Sequence, residues 1–204
     1  LTCNVNYQLG NCLIEMTPDS RAVPELAESF EAADAGKRWI LKLRKSVHFH
    51  NGKEMTAADA VYSLNRHRGP NTTSATAQEM KIVDDIQITS KDEITIALTT
   101  AYFDFPYLLA DLHMTIIPEG DPGTTGIGTG PYVLKEAKPG VRYFAERNPS
   151  YFKSDRAWFD AVDTLVINDG AAGMAALQTG EVDIVNGIEP RTVSLIRRNS
   201  DIEE

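Results

Sequence analysis

The stretch that decides the fold lies at residues 39–64, where the sequence reads WILKLRKSVHFHNGKEMTAADAVYSL. Its first half alternates apolar and charged residues, which predicts a strand with leucines on one face and a solvated, charged opposite face. In its second half Thr56 is followed three residues later by Asp59, a capping-box pattern that predicts a helix over 57–68. A strand that runs through a turn into a capped helix is the first expected unit of a mixed α/β fold.

Further elements are expected on the C-terminal side of this unit. Alternating isoleucines on both sides of turn-forming residues at 90–93 predict a β-hairpin. Five glycines and a proline between Gly120 and Gly130 predict a boundary between two domains, which we place at Gly120. The other predicted elements are a short helix at 106–112, strands at 131–135, 141–146, 164–168 and 182–185, a helix at 171–179, and a last helix that begins at Pro190.

The composition is that of an ordinary globular protein, and it excludes several classes of function. The 204 residues carry 20 Lys plus Arg against 29 Asp plus Glu, which gives a net charge of −9. Because an acidic protein repels phosphate backbones and anionic lipid, we expect no nucleic-acid partner. No run approaches the roughly 18 consecutive apolar residues of a membrane span, so no membrane-spanning segment is expected. The first nine residues are too polar for a signal peptide, which predicts a mature secreted form or a piece of a longer chain.

The residues offer no catalytic constellation. The glycine-rich run at 126–130 leads into a strand, whereas a dinucleotide fingerprint or a P-loop must open a helix. A disulfide needs its two Cα atoms within about 7 Å, whereas the stretch from Cys3 to Cys12 spans about 13 Å as a helix and about 30 Å as a strand. Neither cysteine belongs to a CxxC motif, so we expect two unpaired, partly buried thiols. No serine or cysteine stands in an activated setting. We therefore expect no cofactor, no resident metal and no enzymatic activity.

One alternative from another class of function remains open at this stage, a metal-dependent hydrolase that uses His48 and His50. Two residues apart in an extended run, both imidazoles would project from one strand face and could share a metal ion. No third ligand stands at a recognised spacing. A free-standing interaction module is a further alternative.

Several stretches, taken together and in order, resemble one family. They are VPELAESF at 23–30, the stretch at 39–64 already quoted, GTGPY at 128–132, RNPSY at 147–151 and GEVDI at 180–184. Each stretch alone is weak, but the ordered set resembles the extracytoplasmic solute-binding proteins of peptide-type ABC importers, often called family 5. The resemblance runs from about Asn11 to Pro190.

The resemblance implies a periplasmic binding protein of type II, a two-lobed clamp that encloses its solute between the lobes. It implies that residues 1–12 and 120–204 belong to a discontinuous, incomplete first lobe and that 13–119 form an inserted domain. Family members are longer than this chain, and by resemblance their second lobe corresponds to sequence downstream of Glu204. Phe152 stands where many members have tryptophan.

The resemblance also implies a function and a site. The expected function is the extracytoplasmic solute-binding component of an ABC importer, which captures a peptide or peptide-like solute and delivers it to the membrane permease. The expected location is periplasmic or extracytoplasmic, with a signal peptide in the precursor and a lipid anchor left open. The family's cleft-lining positions correspond to Asn186, Gly187 and Ile188, and more loosely to Thr76.

Overall fold

The computed structural model describes residues 3–187 and residue 202 of the chain, with side chains from Val5 onward. These residues divide into a larger compact unit, up to residue 137 together with 143–163, and a smaller one, 138–142 and from 164 onward. The elements are α1 (Cys3–Leu9), β1 (Ile14–Met16), β2 (Ala22–Pro24), β3 (Ala27–Ala33), β4 (Arg38–Leu43), α2 (Ala57–Asn65), β5 (Val83–Ser90), β6 (Glu93–Leu98), α3 (Phe105–Leu109), β7 (Tyr132–Lys138), β8 (Arg142–Arg147), β9 (Ala161–Leu165) and α4 (Gly170–Thr179). The predicted mixed α/β class is confirmed. The predicted division into 13–119 and the flanking lobe stays a prediction.

A four-stranded antiparallel sheet in the order β3–β4–β6–β5 forms the centre of the larger unit. On β4, Trp39, Leu41 and Leu43 are buried, while Arg38 and Lys42, which alternate with them, are exposed. Leu41 lies opposite Ile94 of β6, so the apolar faces of neighbouring strands coincide. The predicted strand with one charged face is confirmed.

The predicted hairpin is confirmed as β5 and β6. Ile86 pairs with Ile96, and Ile88 pairs with Ile94, in the register that the alternation of apolar residues requires. Ile94 and Ile96 are fully buried because β6 lies between β4 and β5. The hairpin therefore contributes Ile86, Ile94 and Ile96 to the same core as the first strand, whereas Ile88 is exposed.

Helix α2 begins where the capping box predicts, at Ala57 after Thr56. It ends at Asn65 instead of residue 68. The N–H groups of His67 and Arg68 bond to carbonyls three residues earlier, which tightens the last turn and ends the α-helical pattern. Ala60 and Leu64 face the core and are almost fully buried.

We expect Thr56→Ala to destabilise the larger unit by about 1 kcal/mol, the usual cost of losing such a cap. The Thr56 hydroxyl donates to the Asp59 carboxylate at 2.8 Å, and the backbone N–H of Thr56 donates to the same oxygen at 2.8 Å. Urea unfolding would measure the effect. Thr100→Ala, at an exposed position, is the control and should stay within about 0.5 kcal/mol of the parent. Equal midpoints for the two variants would contradict the capping assignment.

The chain leaves α1 at Leu9 and returns to the same place about a hundred residues later. The N–H of Ile116 donates to the carbonyl of Asn11 at 2.9 Å, and Met114 and Ile116 are buried beside it. Residues 132–137, 143–147 and 161–163 then form a second sheet of the larger unit, in the order β7–β8–β9.

The smaller unit contains helix α4. The Asp169 side chain caps its first turn by accepting from the N–H of Ala172 at 2.7 Å. Gly180 ends the helix in the left-handed conformation, with φ of 72°. The N–H groups of Glu181 and Val182 then bond back to the carbonyl of Ala176.

Three predicted elements need correction, and one lies outside the described residues. The run at 182–185 is not a strand in the structure, because the N–H of Val182 closes the end of α4 and no described strand pairs with the run. The short helix spans Phe105–Leu109 instead of 106–112. The N–H groups of Ala110 and Asp111 bond to carbonyls three residues earlier, at Tyr107 and Leu108, which ends the α-helical pattern. Strand β9 begins at Ala161 instead of 164, directly after Asp160 bonds to Arg147 of β8. The helix expected from Pro190 falls outside the described part of the chain.

Among the helices of residues 3–187, none combines the length and the apolar character that crossing a bilayer requires.

Candidate functional site

The four residues predicted to line a solute cleft fall in different parts of the chain. Thr76 belongs to the larger unit, while Asn186 and Gly187 belong to the smaller one. Ile188 lies outside the described residues. Asn186 and Gly187 are both exposed. Gly187 has a φ of 69°, and a Cβ atom placed on it would meet no atom of the described residues within 4 Å. Its backbone conformation therefore favours glycine.

Thr76 is buried within a loop that we name the Thr76 loop, residues 72–78. Its hydroxyl lies 3.0 Å from the Ser74 hydroxyl and 3.3 Å from Nδ1 of His67. Its N–H donates to Ser74 Oγ at 3.2 Å, and its carbonyl accepts from Met80 at 3.0 Å. The threonine is thus fixed by side-chain hydroxyls from its own loop and by one imidazole.

His67, just after α2, is the buried imidazole that holds this loop. Its Nδ1 lies 2.6 Å from Ser74 Oγ, whereas Nε2 has no hydrogen-bond partner among the described residues. Burial lowers the pKa of His67 to about 4; the positive charges of Arg66 and His113 act in the same direction, and Asp111 opposes them. The imidazole is therefore neutral near pH 7. His67 stands in no sequence motif, and only its contacts identify it.

His48 and His50 do not share a site. His50 is bound to the glycine-rich turn: its N–H donates to Gly128, its Nε2 bonds to the carbonyl of Gly130 at 3.1 Å, and its Nδ1 accepts from Gly128 at 3.3 Å. His48 is exposed, and its Nδ1 lies 3.2 Å from the carbonyl of Ser46.

The prediction of two imidazoles on one strand face is wrong. His48 forms only an isolated β-bridge, and the chain enters a turn at His50, so no strand contains both residues. Burial lowers the pKa of His50, and the backbone carbonyl bond from Gly130 opposes this only in part. Within residues 3–187 and 202, no group of three His, Cys, Asp or Glu could hold a metal ion. The metal-dependent hydrolase finds no support.

Asp59 is a buried carboxylate with four donors. Oδ1 accepts from Lys53 Nζ at 2.5 Å and from the N–H of Glu119 at 2.8 Å. Oδ2 accepts the N–H and the hydroxyl of Thr56. Burial alone would raise the pKa of Asp59, but the bonds from Lys53, Glu119 and Thr56 outweigh it and lower the pKa. These contacts join the turn before α2 to the segment after Ile117, so the role of Asp59 is structural.

A second buried carboxylate, Glu25, borders a cavity of about 280 Å³ in the larger unit. Its Oε1 accepts from Asn11 Nδ2 and from Lys153 Nζ, both at 2.8 Å, and Oε2 accepts the N–H of Cys12 at 3.1 Å. Lys153 also donates to Glu15 at 2.7 Å. Burial raises the pKa of Glu25, opposed by Lys153 and Asn11. Sequence spacing could not have found this cluster, since its members come from distant segments.

Cys12 is unpaired, as predicted, and is almost fully buried instead of partly buried. Its thiol donates to the carbonyl of Asp111 at 3.2 Å. Burial raises the pKa of the Cys12 thiol well above its usual value, and the nearby charges of Glu25 and Asp111 raise it further. The thiol is therefore inert as a nucleophile. The side chain of Cys3 lies outside the described part of the chain.

Comparison with known proteins gives a consistent result. The family model described as "Bacterial extracellular solute-binding proteins, family 5 Middle" matches residues 21–204. The oligopeptide-binding protein AppA of Bacillus subtilis is 28% identical over 79% of this chain and 32% of its own length. The nickel-binding periplasmic protein of Escherichia coli is 27% identical over 87% of this chain and 35% of its own length. Heme-binding protein A of Haemophilus influenzae is 29% identical over 96% of this chain and 41% of its own length.

Solved structures agree with the fold. AgaA in complex with agropinic acid, from A. tumefaciens R10, superposes with a TM-score of 0.91 at 23% identity, over 97% of this chain and 42% of that chain. Bacillus subtilis AppA in complex with a nonapeptide gives a TM-score of 0.75 at 26% identity, over 86% of this chain and 37% of that chain. The chain therefore spans about a third to two fifths of the length of the proteins it matches.

Proposed function

Because this chain belongs to the bacterial extracellular solute-binding proteins of family 5, we propose that the whole protein captures a peptide or peptide-like solute outside the cytoplasm and delivers it to an ABC permease. The observation that carries the proposal is the family match over residues 21–204. Peptides are favoured over nickel or heme because oligopeptide-binding proteins of three organisms are among the relatives. The protein acts by binding and not by catalysis, in the periplasm or its equivalent.

The test is calorimetry of a protein of the relatives' full length that carries this chain, titrated with a panel of di- to pentapeptides. We expect saturable heat from at least one peptide, with one site per protein. Titrations with nickel chloride and with hemin run in parallel. Saturable binding of either of these without any peptide binding would overturn the peptide class, and no binding in any titration of a folded protein would overturn the function.

The proposed cleft residues remain Asn186, Gly187, Ile188 and Thr76. The family resemblance supports all four, and the exposure of Gly187 among the described residues supports its place at a surface that a solute can approach. A glycine there allows the backbone of a peptide to come close.

We expect Gly187→Asn in the full-length protein to weaken peptide binding at least about tenfold, which is about 1.4 kcal/mol. Asparagine tolerates the left-handed conformation at φ of 69°, so the change adds a side chain at the cleft with little backbone strain. The matched control is Gly180→Asn, at φ of 72° after α4, where an added Cβ likewise meets no atom of the described residues within 4 Å. Isothermal titration with the tightest peptide of the panel measures both. Unchanged affinity in Gly187→Asn, or an equal loss in the control, would remove Gly187 from the site.

A further inference from the structure

The Thr76 loop is held by a short chain of polar side chains. Thr72 Oγ1 donates to the carbonyl of Arg66 at 2.9 Å and accepts the N–H of Ser74 at 3.2 Å. Ser74 Oγ in turn contacts Thr76 Oγ1 and the Thr76 N–H. The Thr72 hydroxyl thus holds the backbone of Ser74, and the Ser74 hydroxyl contacts both the hydroxyl and the N–H of Thr76.

His67 is buried and links the hydroxyls of Ser74 and Thr76 to the core. It follows the last turn of α2, and its Nδ1 contacts Ser74 Oγ at 2.6 Å and Thr76 Oγ1 at 3.3 Å. Because Ser74 Oγ already accepts the Thr76 N–H, its own proton is free to be donated to Nδ1. A neutral imidazole with its proton on Nε2 fits this arrangement.

The other ring nitrogen makes histidine a costly choice for this position. Nε2 is buried and has no hydrogen-bond partner among the described residues. A buried polar atom without a partner lowers stability, and an apolar side chain of similar size would avoid that loss. The imidazole contributes the contacts between Nδ1 and the Thr76 loop, which an apolar side chain could not make.

We propose that His67 is a positioning residue, which fixes the Thr76 hydroxyl at the solute cleft through Ser74 without contacting the solute itself. This inference rests on the proposed function, in which Thr76 lines the cleft. It goes further because it attributes the orientation of the Thr76 side chain to a buried imidazole that lies just after α2.

The proposal predicts a dependence on pH. A protonated imidazole has no acceptor, so Ser74 would have to accept from Nδ1 instead of donating to it, and a positive charge would be buried against the loop. The charged groups whose fields reach His67 are Arg66 and His113, which oppose its protonation, and Asp111, which favours it. With the pKa of His67 lowered to about 4, the loop should be held at neutral pH and released in acid.

Hydrogen exchange on this chain tests the positioning role without any solute. The amides of Ala77 and Met80 bond to carbonyls within the loop. We expect His67→Leu to lower their protection at least about tenfold, while protection of the Leu43 and Ile116 amides in the core stays within about threefold of the parent. His67→Asn, whose side-chain amide can occupy the place of Nδ1, should restore the loop.

The parent should show the same loss of protection at Ala77 and Met80 between about pH 6 and about pH 3.5, and His67→Asn should not. Equal protection of the loop in the parent and in His67→Leu at neutral pH would overturn the proposal. Equal loss of protection in His67→Leu and His67→Asn, or a pH profile that is the same in the parent and in His67→Asn, would overturn it as well.

Affinity separates this proposal from the function on which it rests. In the full-length protein, with the tightest peptide of the panel, Thr76→Val and His67→Leu should each weaken binding at least about tenfold, and His67→Asn should not. If Thr76→Val leaves affinity unchanged, Thr76 is not a cleft residue and the proposed site fails. If Thr76→Val weakens binding and His67→Leu does not, the site stands and the positioning role of His67 fails.

Discussion

Replacing Gly130 by alanine should destabilise the larger unit by about 3 kcal/mol, which makes it one of the most damaging single changes in this chain. A Cβ atom at Gly130 would lie 2.7 Å from the carbonyl oxygen of Gln8 and 2.7 Å from the nitrogen of Gly10, and it would also collide with the backbone of Leu9. All these atoms belong to the backbone at the end of α1, so no side chain can rotate away to make room.

The collision would also disturb the bonds that the turn makes. The N–H of Gly130 donates to Leu9 at 3.0 Å, and its carbonyl is bonded to His50 Nε2 and to Asn148 Nδ2. A shift of the turn would weaken these three contacts together. The neighbouring Gly128 is equally close to the backbone of Leu9, which explains why two glycines flank Thr129.

Urea unfolding of the purified protein measures the effect, with Gly170→Ala as the matched control. Gly170 opens α4, and a Cβ placed on it meets nothing within 4 Å. Alanine there should be neutral or stabilising by up to about 1 kcal/mol. Similar unfolding midpoints for Gly130→Ala and Gly170→Ala would show that the turn can move aside.

Asp59→Asn should also destabilise the protein by about 3 kcal/mol. Both carboxylate oxygens accept from two donors, and an amide offers only one acceptor oxygen. Whichever way the amide is turned, its NH₂ group would face donors, either Lys53 and Glu119 or those of Thr56. Asp84→Asn, which makes the same chemical change at an exposed position, should stay within about 0.5 kcal/mol of the parent.

The pH dependence provides a second measurement on the same variant. Because the folded pKa of Asp59 lies below its usual value, its contribution to stability is complete above the unfolded pKa of about 3.9 and is lost as the pH falls through the folded pKa. The difference in stability between the parent and Asp59→Asn should therefore shrink in acid. A difference that is constant down to the lowest pH at which both variants fold would contradict the role of the charge.

Local sequence patterns predict much of the fold, because the alternation within a strand and the cap of a helix involve only residues close in sequence. The alternation of isoleucines places β5 and β6 in register, and the Thr56 and Asp59 pair begins α2, with no information from distant residues. The run at 182–185 has the same apolar character as a strand. A strand also needs a neighbour for its N–H and C=O groups, and the sequence of the run does not tell whether one is present.

The site depends on contacts that sequence spacing does not show. Thr76 was assigned from family resemblance, but its contact with His67 depends on how the chain turns after α2. The donors of Asp59 come from residues as distant as Glu119, and Lys153 reaches Glu25 from the other end of the larger unit's sequence. Two histidines close in sequence were expected to act together, and the turn after His48 separates their partners.

The hydrogen bond between Ile116 and Asn11 shows that the two ends of the long segment between these residues are in contact. A segment whose two ends meet is suited to excision, to transfer into another protein as a cassette, or to circular permutation with new termini in an exposed turn such as that at Lys91 and Asp92.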